Sequence, residues 1–235
     1  MKNFYGKLFL IPNFLSEDNP DEFIAEMVRN SVHHLKHFVV ENEKQARALI
    51  KKLRIEHAQP EIKIWLLNEH TPFNEIPDLL KSLENADAGI ISDAGIPCVA
   101  DPGSDLVALA QARHIEIIPL PGASSIMMAL MGSGFNGQQF SFNGYLPVEK
   151  PLRTKKIKEL ESQMYRGSTQ LFMETPYRNK HVFDDLVQNC AANTKLCIAC
   201  SISSPLGWVQ TKTIAVWKNE KPDIHKKPCI FILGK

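Results

Sequence analysis

A run of apolar residues ending in Ile90-Ile91-Ser92 leads into Asp93-Ala94-Gly95-Ile96-Pro97, and after Cys98 into Val99-Ala100-Asp101-Pro102-Gly103. Two clusters of small, acidic and proline residues in succession suit the mouth of a small-ligand site. Gly95 and Gly103 permit close backbone approach and positive φ, and Asp93 falls where a strand end meets solvent. An ordinary strand–loop–helix connection uses the same residue types, although two clusters are more than one turn requires. The glycine spacing matches neither G-x-G-x-x-G nor G-x-x-x-x-G-K-[ST], so dinucleotide and P-loop sites are unsupported. Glu69 and His70 follow a third strand, where open sheets carry their sites, and are candidates for a general base. Arg178, after Pro176-Tyr177 at a helix start, is a candidate substrate or phosphate contact, or one half of a structural ion pair.

Other residue groups read more plainly. The five cysteines, Cys98, Cys190, Cys197, Cys200 and Cys229, are odd in number and irregular in spacing, which argues for reduced thiols rather than a disulfide framework. Cys197-x-x-Cys200 lies in a strand-like run whose third-neighbour positions face opposite ways, so core packing is expected rather than a metal or redox site. His33, His34 and His37 have no evident acidic or cysteine partner, and no metal is expected. Lys150, Arg153, Lys155, Lys156 and Lys158 form a basic run that reads either as a phosphate contact or, preferred, as a solvated helix face balanced by Glu149, Glu159 and Glu161. Met127, Met128 and Met131 at helical spacing read as core filler.

The elements that must position these residues alternate through the first half. Lys7–Ile11, Phe38–Glu41, Ile62–Leu67, Ala88–Ser92 and Ile115–Pro119 read as strands, and Asp21–Ser31, Glu43–Lys52, Ile76–Leu83 and Gly103–Arg113 as helices, with Ser16, Asn42 and Ser104 as cap or first-turn residues. Alternation of this kind predicts a parallel sheet with helices on both faces. Pro119-Leu120-Pro121-Gly122 is the strongest break, giving an N-terminal α/β domain over 1–120 and a C-terminal one over 121–235. After a helix at Ser124–Met131, strands are expected at Phe140–Tyr145, Thr169–Met173, Leu196–Ser201, Val209–Val216 and Cys229–Leu233, with helices near Thr154–Ser162 and Lys180–Gln188. The last three strands follow one another with little helix, which predicts antiparallel pairing and a mixed sheet.

With these motifs in order, the chain resembles the class III, tetrapyrrole-methylase-type S-adenosylmethionine-dependent methyltransferases, nearest the small-subunit rRNA 2′-O-methyltransferase I branch. Ser92–Pro97 and Ala100–Gly103 resemble its S-D-A-G-T-P-L-I-S-D-P-G signature; Pro119–Ser124 resembles P-L-P-G-x-[SC]; Ser133-Gly134-Phe135 resembles S-G-L. Phe142-x-Gly144-Tyr145-Leu146-Pro147 resembles F-x-G-F-L-P, Glu174-Thr175-Pro176-Tyr177-Arg178 resembles E-S-P-H-R, and Leu67-x-Glu69-His70 resembles L-x-E-H. The resemblance implies two α/β domains with a cofactor cleft between them, a homodimer, S-adenosylmethionine as cofactor, and RNA or a ribosomal subunit as acceptor. It carries cofactor contacts to Pro12, Ile91, Ser92, Asp93, Ile96, Ser124, Ser125 and Glu174, and adds Glu41 to Glu69, His70 and Arg178 as candidate catalytic residues.

Departures fall on charged positions. The first-strand P-I-G-N-L is here Ile11-Pro12-Asn13-Phe14-Leu15, and E-D-T-R is Glu41-Asn42-Glu43-Lys44; an Arg-to-Lys exchange is not conservative at a bidentate contact. The late A-R-E-L-T-K is Ala199-Cys200-Ser201-Ile202-Ser203-Ser204, without Arg, Glu or Lys. A different acceptor, the same acceptor held by weaker contacts, and cofactor binding without turnover are the three readings this leaves. Composition is compatible with each: 27 Lys+Arg against 26 Asp+Glu give a net charge of +1, which excludes a strongly basic nucleic-acid module and gives no global field to steer a polyanion. The apolar run Leu8–Ile11 stops at Pro12 with no small-residue cleavage site, and no run approaches ~18 apolar residues, so neither a signal peptide nor a membrane span is expected and the cytoplasm is the expected compartment.

Overall fold

The computed structural model describes residues 6–19, 21–83 and 85–235. The chain divides into two compact units, 1–124 and 125–235. In the first, strands β1 (Leu8–Ile11), β2 (His37–Val40), β3 (Lys63–Leu66), β4 (Ala88–Ile91) and β5 (Ile117–Pro119) form a sheet in the order β3-β2-β4-β1-β5, with every pair parallel. Because successive side chains alternate faces, Phe9, Ile11, Phe38 and Val40 pack one way, against Val28 and Val32 of α1 (Glu26–Val32) and Leu49 and Ile50 of α2 (Glu43–Lys52). Leu8, Val39 and Ile90 pack the other way, against Leu80 of α3 (Ile76–Ser82) and Leu106 and Ala110 of α4 (Gly103–Ala112).

That layering defines a switch point. The connection leaving β1 passes through α1 on one face, and the connection leaving the adjacent β4 passes through α4 on the other. Open parallel sheets bind ligands outside the carboxyl ends of such a pair of strands, and the loops that begin at Pro12 and Ser92 occupy that place.

The second unit contains α5 (Ser125–Ser133), β6 (Phe140–Tyr145), α6 (Lys150–Tyr165), β7 (Thr169–Glu174), α7 (Asn179–Asn189), β8 (Lys195–Cys200), β9 (Trp208–Thr213), α8 (Ile214–Asn219) and β10 (Cys229–Gly234). Its sheet runs β6-β7-β10-β8-β9, parallel only between β6 and β7 and antiparallel elsewhere, which is the mixed sheet expected. Cys197 and Cys200 project into different core clusters, on opposite faces of β8.

Four expectations need correction. Val209–Val216 does not continue as one strand: Thr213 leaves β9 and caps α8, its side chain accepting a hydrogen bond from the Val216 N–H, so that Trp217 is buried and its indole donates to the Leu196 carbonyl. Asp21–Ser31 is not one helix either. A single 3-10 turn spans Asp21–Phe23, Ala25 is extended, and α1 starts at Glu26. The Arg29 guanidinium takes the Asp21 and Ile24 carbonyls, which a continuous helix would use internally. Met127 and Met131 are not core, since they are 43% and 80% exposed.

Arg153 also departs from the solvated face read for the basic run, being 6% exposed. Its Nε and Nη2 each lie 2.8 Å from Asp185 Oδ2, and its Nη1 donates to the carbonyls of Pro147 and Val148. Removing one partner of a buried pair leaves an uncompensated charge. Arg153→Met is therefore expected to lower unfolding stability by about 3 kcal/mol, and the double change Arg153→Met/Asp185→Leu to recover most of the loss; urea titration of both variants checks it.

Candidate functional site

The loops after β1 and β4 are tied together by one side chain. Asn13 is buried, and its Nδ2 donates to the carbonyls of Ser92 at 2.9 Å and Asp93 at 3.1 Å. Its backbone N–H donates to the Gly95 carbonyl at 2.7 Å, and its Oδ1 accepts from the Phe14 N–H at 2.8 Å. A third strand end joins them, because Glu41, immediately after β2, accepts the Asp93 N–H on Oε2 at 2.8 Å. Local sequence explains each placement: Pro12 ends β1, and Asn42 caps α2 by accepting from the Gln45 N–H, which leaves Glu41 at the strand mouth.

The second acidic residue of the motif shapes the rest of the loop. Asp101 accepts the Cys98 N–H at 2.7 Å and the Gly103 N–H at 2.8 Å. Cys98 and Ala100 take left-handed φ of 67° and 64°, conformations that cost non-glycine residues of order 1 kcal/mol or more and that cluster at functional sites. Gly95 is also left-handed, at 72°. Pro12 faces Gly122 so closely that a Cβ there would sit 2.0 Å from the proline Cβ, which is why the Pro-Leu-Pro-Gly segment ends in glycine.

Carboxylates gather at these strand ends. Burial raises the pKa of Glu41, and the charges of Asp101, Asp93 and Glu69 reinforce this against the lowering effect of the Asp93 N–H. Burial likewise raises Asp93 and Asp101, the latter against three backbone N–H groups. A pocket of about 370 Å3 opens beside Asp93 and Ala94, between the 13–17 loop and α2, with Phe14 and Leu49 among its apolar walls and Gln45 and Lys52 among its polar ones.

Of the residues singled out from sequence, Pro12, Ile91, Ser92, Asp93 and Glu41 therefore converge on one set of loops; Ile96, directly after Gly95, is half-buried, and Ser124 closes the first unit, half-buried. Glu69 and His70 are exposed on 85% and 84% of their side chains and pair with each other at 3.6 Å, with Glu69 close enough to act on Glu41. In the second unit Ser125 begins α5. The fully buried Glu174 carboxylate meets Arg178 Nη2 at 2.8 Å, and Arg178 also donates to the Leu146 and Pro147 carbonyls. Arg178 thus binds two of the sequence motifs to each other. Glu174 Oε1 accepts the Thr175 N–H, while Oε2, despite its charge contact, has no hydrogen bond. No group of three or more His, Cys, Asp or Glu side chains suited to a metal occurs among the described residues. Sequence reasoning gives Asn13 and Asp101 no role; an Asn directly after a strand-ending proline is the one signal that could have found the first.

No family model matches the chain. It is similar to proteins named ribosomal RNA small subunit methyltransferase I: 34% identical over 138 residues to that of Halalkalibacterium halodurans, covering 58% of this chain and 46% of the relative. To the Streptococcus pyogenes protein it is 32% identical over 185 residues, covering 77% and 60%. To the Vibrio cholerae protein it is 26% identical over 181 residues, covering 75% and 62%. The chain therefore spans roughly half to three-fifths of the length of these relatives. Among solved structures it matches CobJ, a methyltransferase, at a TM-score of 0.64 and 13% identity over 98% of this chain and 94% of that one. It matches the cobalamin biosynthetic enzyme cobalt precorrin-4 methyltransferase at 0.61 and 13% over 97% and 94%. These likenesses show the fold.

The raised carboxylates set a pH dependence. For an acid whose folded pKa lies above its unfolded one, the folded state holds more protons between the two values. Its contribution to stability is full below the unfolded pKa and is lost as pH rises through the folded pKa. The stability of wild type relative to Glu41→Gln is expected to fall as pH rises above the ordinary carboxylate range of about 4, read from urea midpoints across a pH series; a difference that grows with pH contradicts the assignment.

Proposed function

With the fold of the tetrapyrrole methyltransferases, and as a sequence relative of the small-subunit rRNA methyltransferases I, this chain is one that we propose to be an S-adenosylmethionine-dependent methyltransferase acting on an oxygen or nitrogen of RNA. The observation that carries the reading is the Asn13-locked pair of loops at the switch point between β1 and β4, with Glu41, Asp93 and Asp101 beside them. S-Adenosylmethionine, when bound, supplies a methyl group made electrophilic by its sulfonium. The donor set fits such a group: a cation with an adenosine end and an amino-acid end is complemented by clustered carboxylates and by loop backbone fixed in place before binding.

The chain's own residues then have distinct tasks. Pro12, Ile91, Ser92, Asp93 and Ile96 form the cofactor-holding loops, with Ser124, Ser125 and Glu174 assigned by resemblance. Asn13 and Asp101 are positioning residues that fix the loop backbone, and fixed dipoles lose nothing to reorganisation when the reaction occurs. A hydroxyl acceptor needs a base, and an acid whose burial raises it above the ordinary carboxylate range is the stronger proton acceptor. Glu41 is that group, with Glu69 and His70 at the open edge beyond β3. Arg178, bound to Glu174 and to the Leu146 and Pro147 carbonyls, acts by positioning and not at the reacting atoms.

Isothermal calorimetry against S-adenosylhomocysteine is expected to give saturable binding, weakened at least about tenfold by Asp93→Arg. Transfer of labelled methyl to small ribosomal subunits is expected to fall by about 10²-fold in Glu41→Gln, with cofactor affinity kept. A folded wild-type protein that binds no cofactor overturns the proposal. Binding without transfer to any RNA removes the acceptor and leaves the cofactor site.

A further inference from the structure

The segment in which the rRNA branch would place Arg, Glu and Lys here places Cys200, and the structure sets a second thiol against it. Cys200 on β8 and Cys229 on β10 are direct partners in an antiparallel ladder, and their thiols are hydrogen-bonded to each other. The next pair along, Ser201 and Pro228, is joined by the Ser201 N–H to the Pro228 carbonyl at 2.8 Å. Hydrogen-bonded and non-hydrogen-bonded pairs alternate, so Cys200 and Cys229 are a non-hydrogen-bonded pair, the kind whose Cα atoms approach to about 4.5 Å. That lies within the roughly 4.4–6.8 Å that a disulfide spans. Both side chains face the same core cluster, so closing the bond needs no strand to turn over.

We propose that Cys200 and Cys229 form a reversible oxidation site, closing to a cross-strand disulfide when a peroxide is the oxidant. Cys200 is the attacking thiol. The hydrogen bond from Cys229, with help from Ser201 and Lys227, lowers its pKa to about 7 against its burial, whereas burial drives Cys98 and Cys190 up to about 12 and Cys197 to about 11. The thiolate is the nucleophile, and of the two paired sulfurs Cys200 is the one whose pKa is lowered while that of Cys229 is raised. The two thiols are buried, but Lys227 and Asp223 beside them, paired at 2.6 Å, have side chains 38% and 80% exposed, so the ladder end borders water and is the side from which a molecule as small as hydrogen peroxide enters.

The chemistry balances. The Cys200 thiolate attacks one peroxide oxygen, the O–O bond breaks, and the departing hydroxide takes a proton to become water. The Cys229 sulfur attacks the resulting sulfenic sulfur, the S–S bond forms and the S–O bond breaks. The second hydroxide leaves with the Cys229 proton. Two thiols lose two electrons, and one peroxide becomes two waters. Cys229 also stands opposite Glu174 on β7, so the bond closes in the same row of the sheet as that buried carboxylate. The proposal does not rest on the methyltransferase reading.

The test treats the reduced full-length protein with hydrogen peroxide, blocks free thiols by alkylation, digests without reductant and maps peptides by mass. The expected product is one linked pair containing Cys200 and Cys229, lighter than its free peptides by two hydrogens, reopened by dithiothreitol and formed faster as pH rises through about 7. Cys98, Cys190 and Cys197 stay alkylated, and Cys197→Ala still forms the link. In Cys229→Ala the expected product is Cys200 sulfenic acid, trapped by dimedone. The proposal is overturned if Cys200 and Cys229 are recovered alkylated at a peroxide dose that oxidises another cysteine. It is equally overturned if Cys200 passes to sulfinic or sulfonic acid without linking, or if the link forms only after unfolding in urea.

Discussion

Everything at the carboxyl ends of the first sheet depends on the Asn13 side-chain amide. Two parallel strands whose chains leave in opposite directions would otherwise present two loops free to move apart, and each loop carries carbonyls that need donors. One amide supplies both Ser92 and Asp93, and the Asn13 backbone supplies Gly95. The carboxylate of Glu41 takes the Asp93 N–H from the opposite side. A hydrogen bond to a charged group is worth about 1.5–3 kcal/mol and a neutral one about 1, so these few bonds are enough to decide whether the loop has one conformation or several. Once they are made, Asp101 can close its own turn, and the left-handed Cys98 and Ala100 become tolerable.

The second unit solves a similar problem with arginine. The strand-to-helix segment at Leu146–Val148 offers carbonyls that neither β6 nor α6 can pair. Arg153 and Arg178 take them, each anchored by a buried acid, Asp185 for one and Glu174 for the other. Planar guanidinium groups with several donors in fixed directions suit this use, and lysine would not replace them. Two motifs separated in sequence, Gly-Tyr-Leu-Pro and Glu-Thr-Pro-Tyr-Arg, are therefore parts of one local structure.

Much of this could be read from the sequence because short-range rules governed it. Helix α2 was bounded correctly, since Asn42 is a strong cap and the apolar spacing that follows is helical. Strand β4 was plain from its unbroken apolar run, as expected of a strand covered on both faces. Reading failed where a distant partner decided. The alternating Val209–Val216 run suits a strand, but Thr213 caps a helix that buries Trp217 against Leu196. Arg153 sits among lysines and looks solvated until Asp185, on another helix, is brought to it. The site was legible as a set of loops and not as a set of contacts: Asn13, which makes the decisive bonds, is an unremarkable residue in a turn until β1 and β4 are known to be neighbours.

The most direct measurement is amide hydrogen exchange of the wild-type protein with and without S-adenosylhomocysteine. The account predicts slowed exchange concentrated at Asn13–Phe14 and Asp93–Gly95, the amides of the locked loops. Slowing confined to other segments, or none under saturating ligand, would contradict the claim that these loops hold the cofactor.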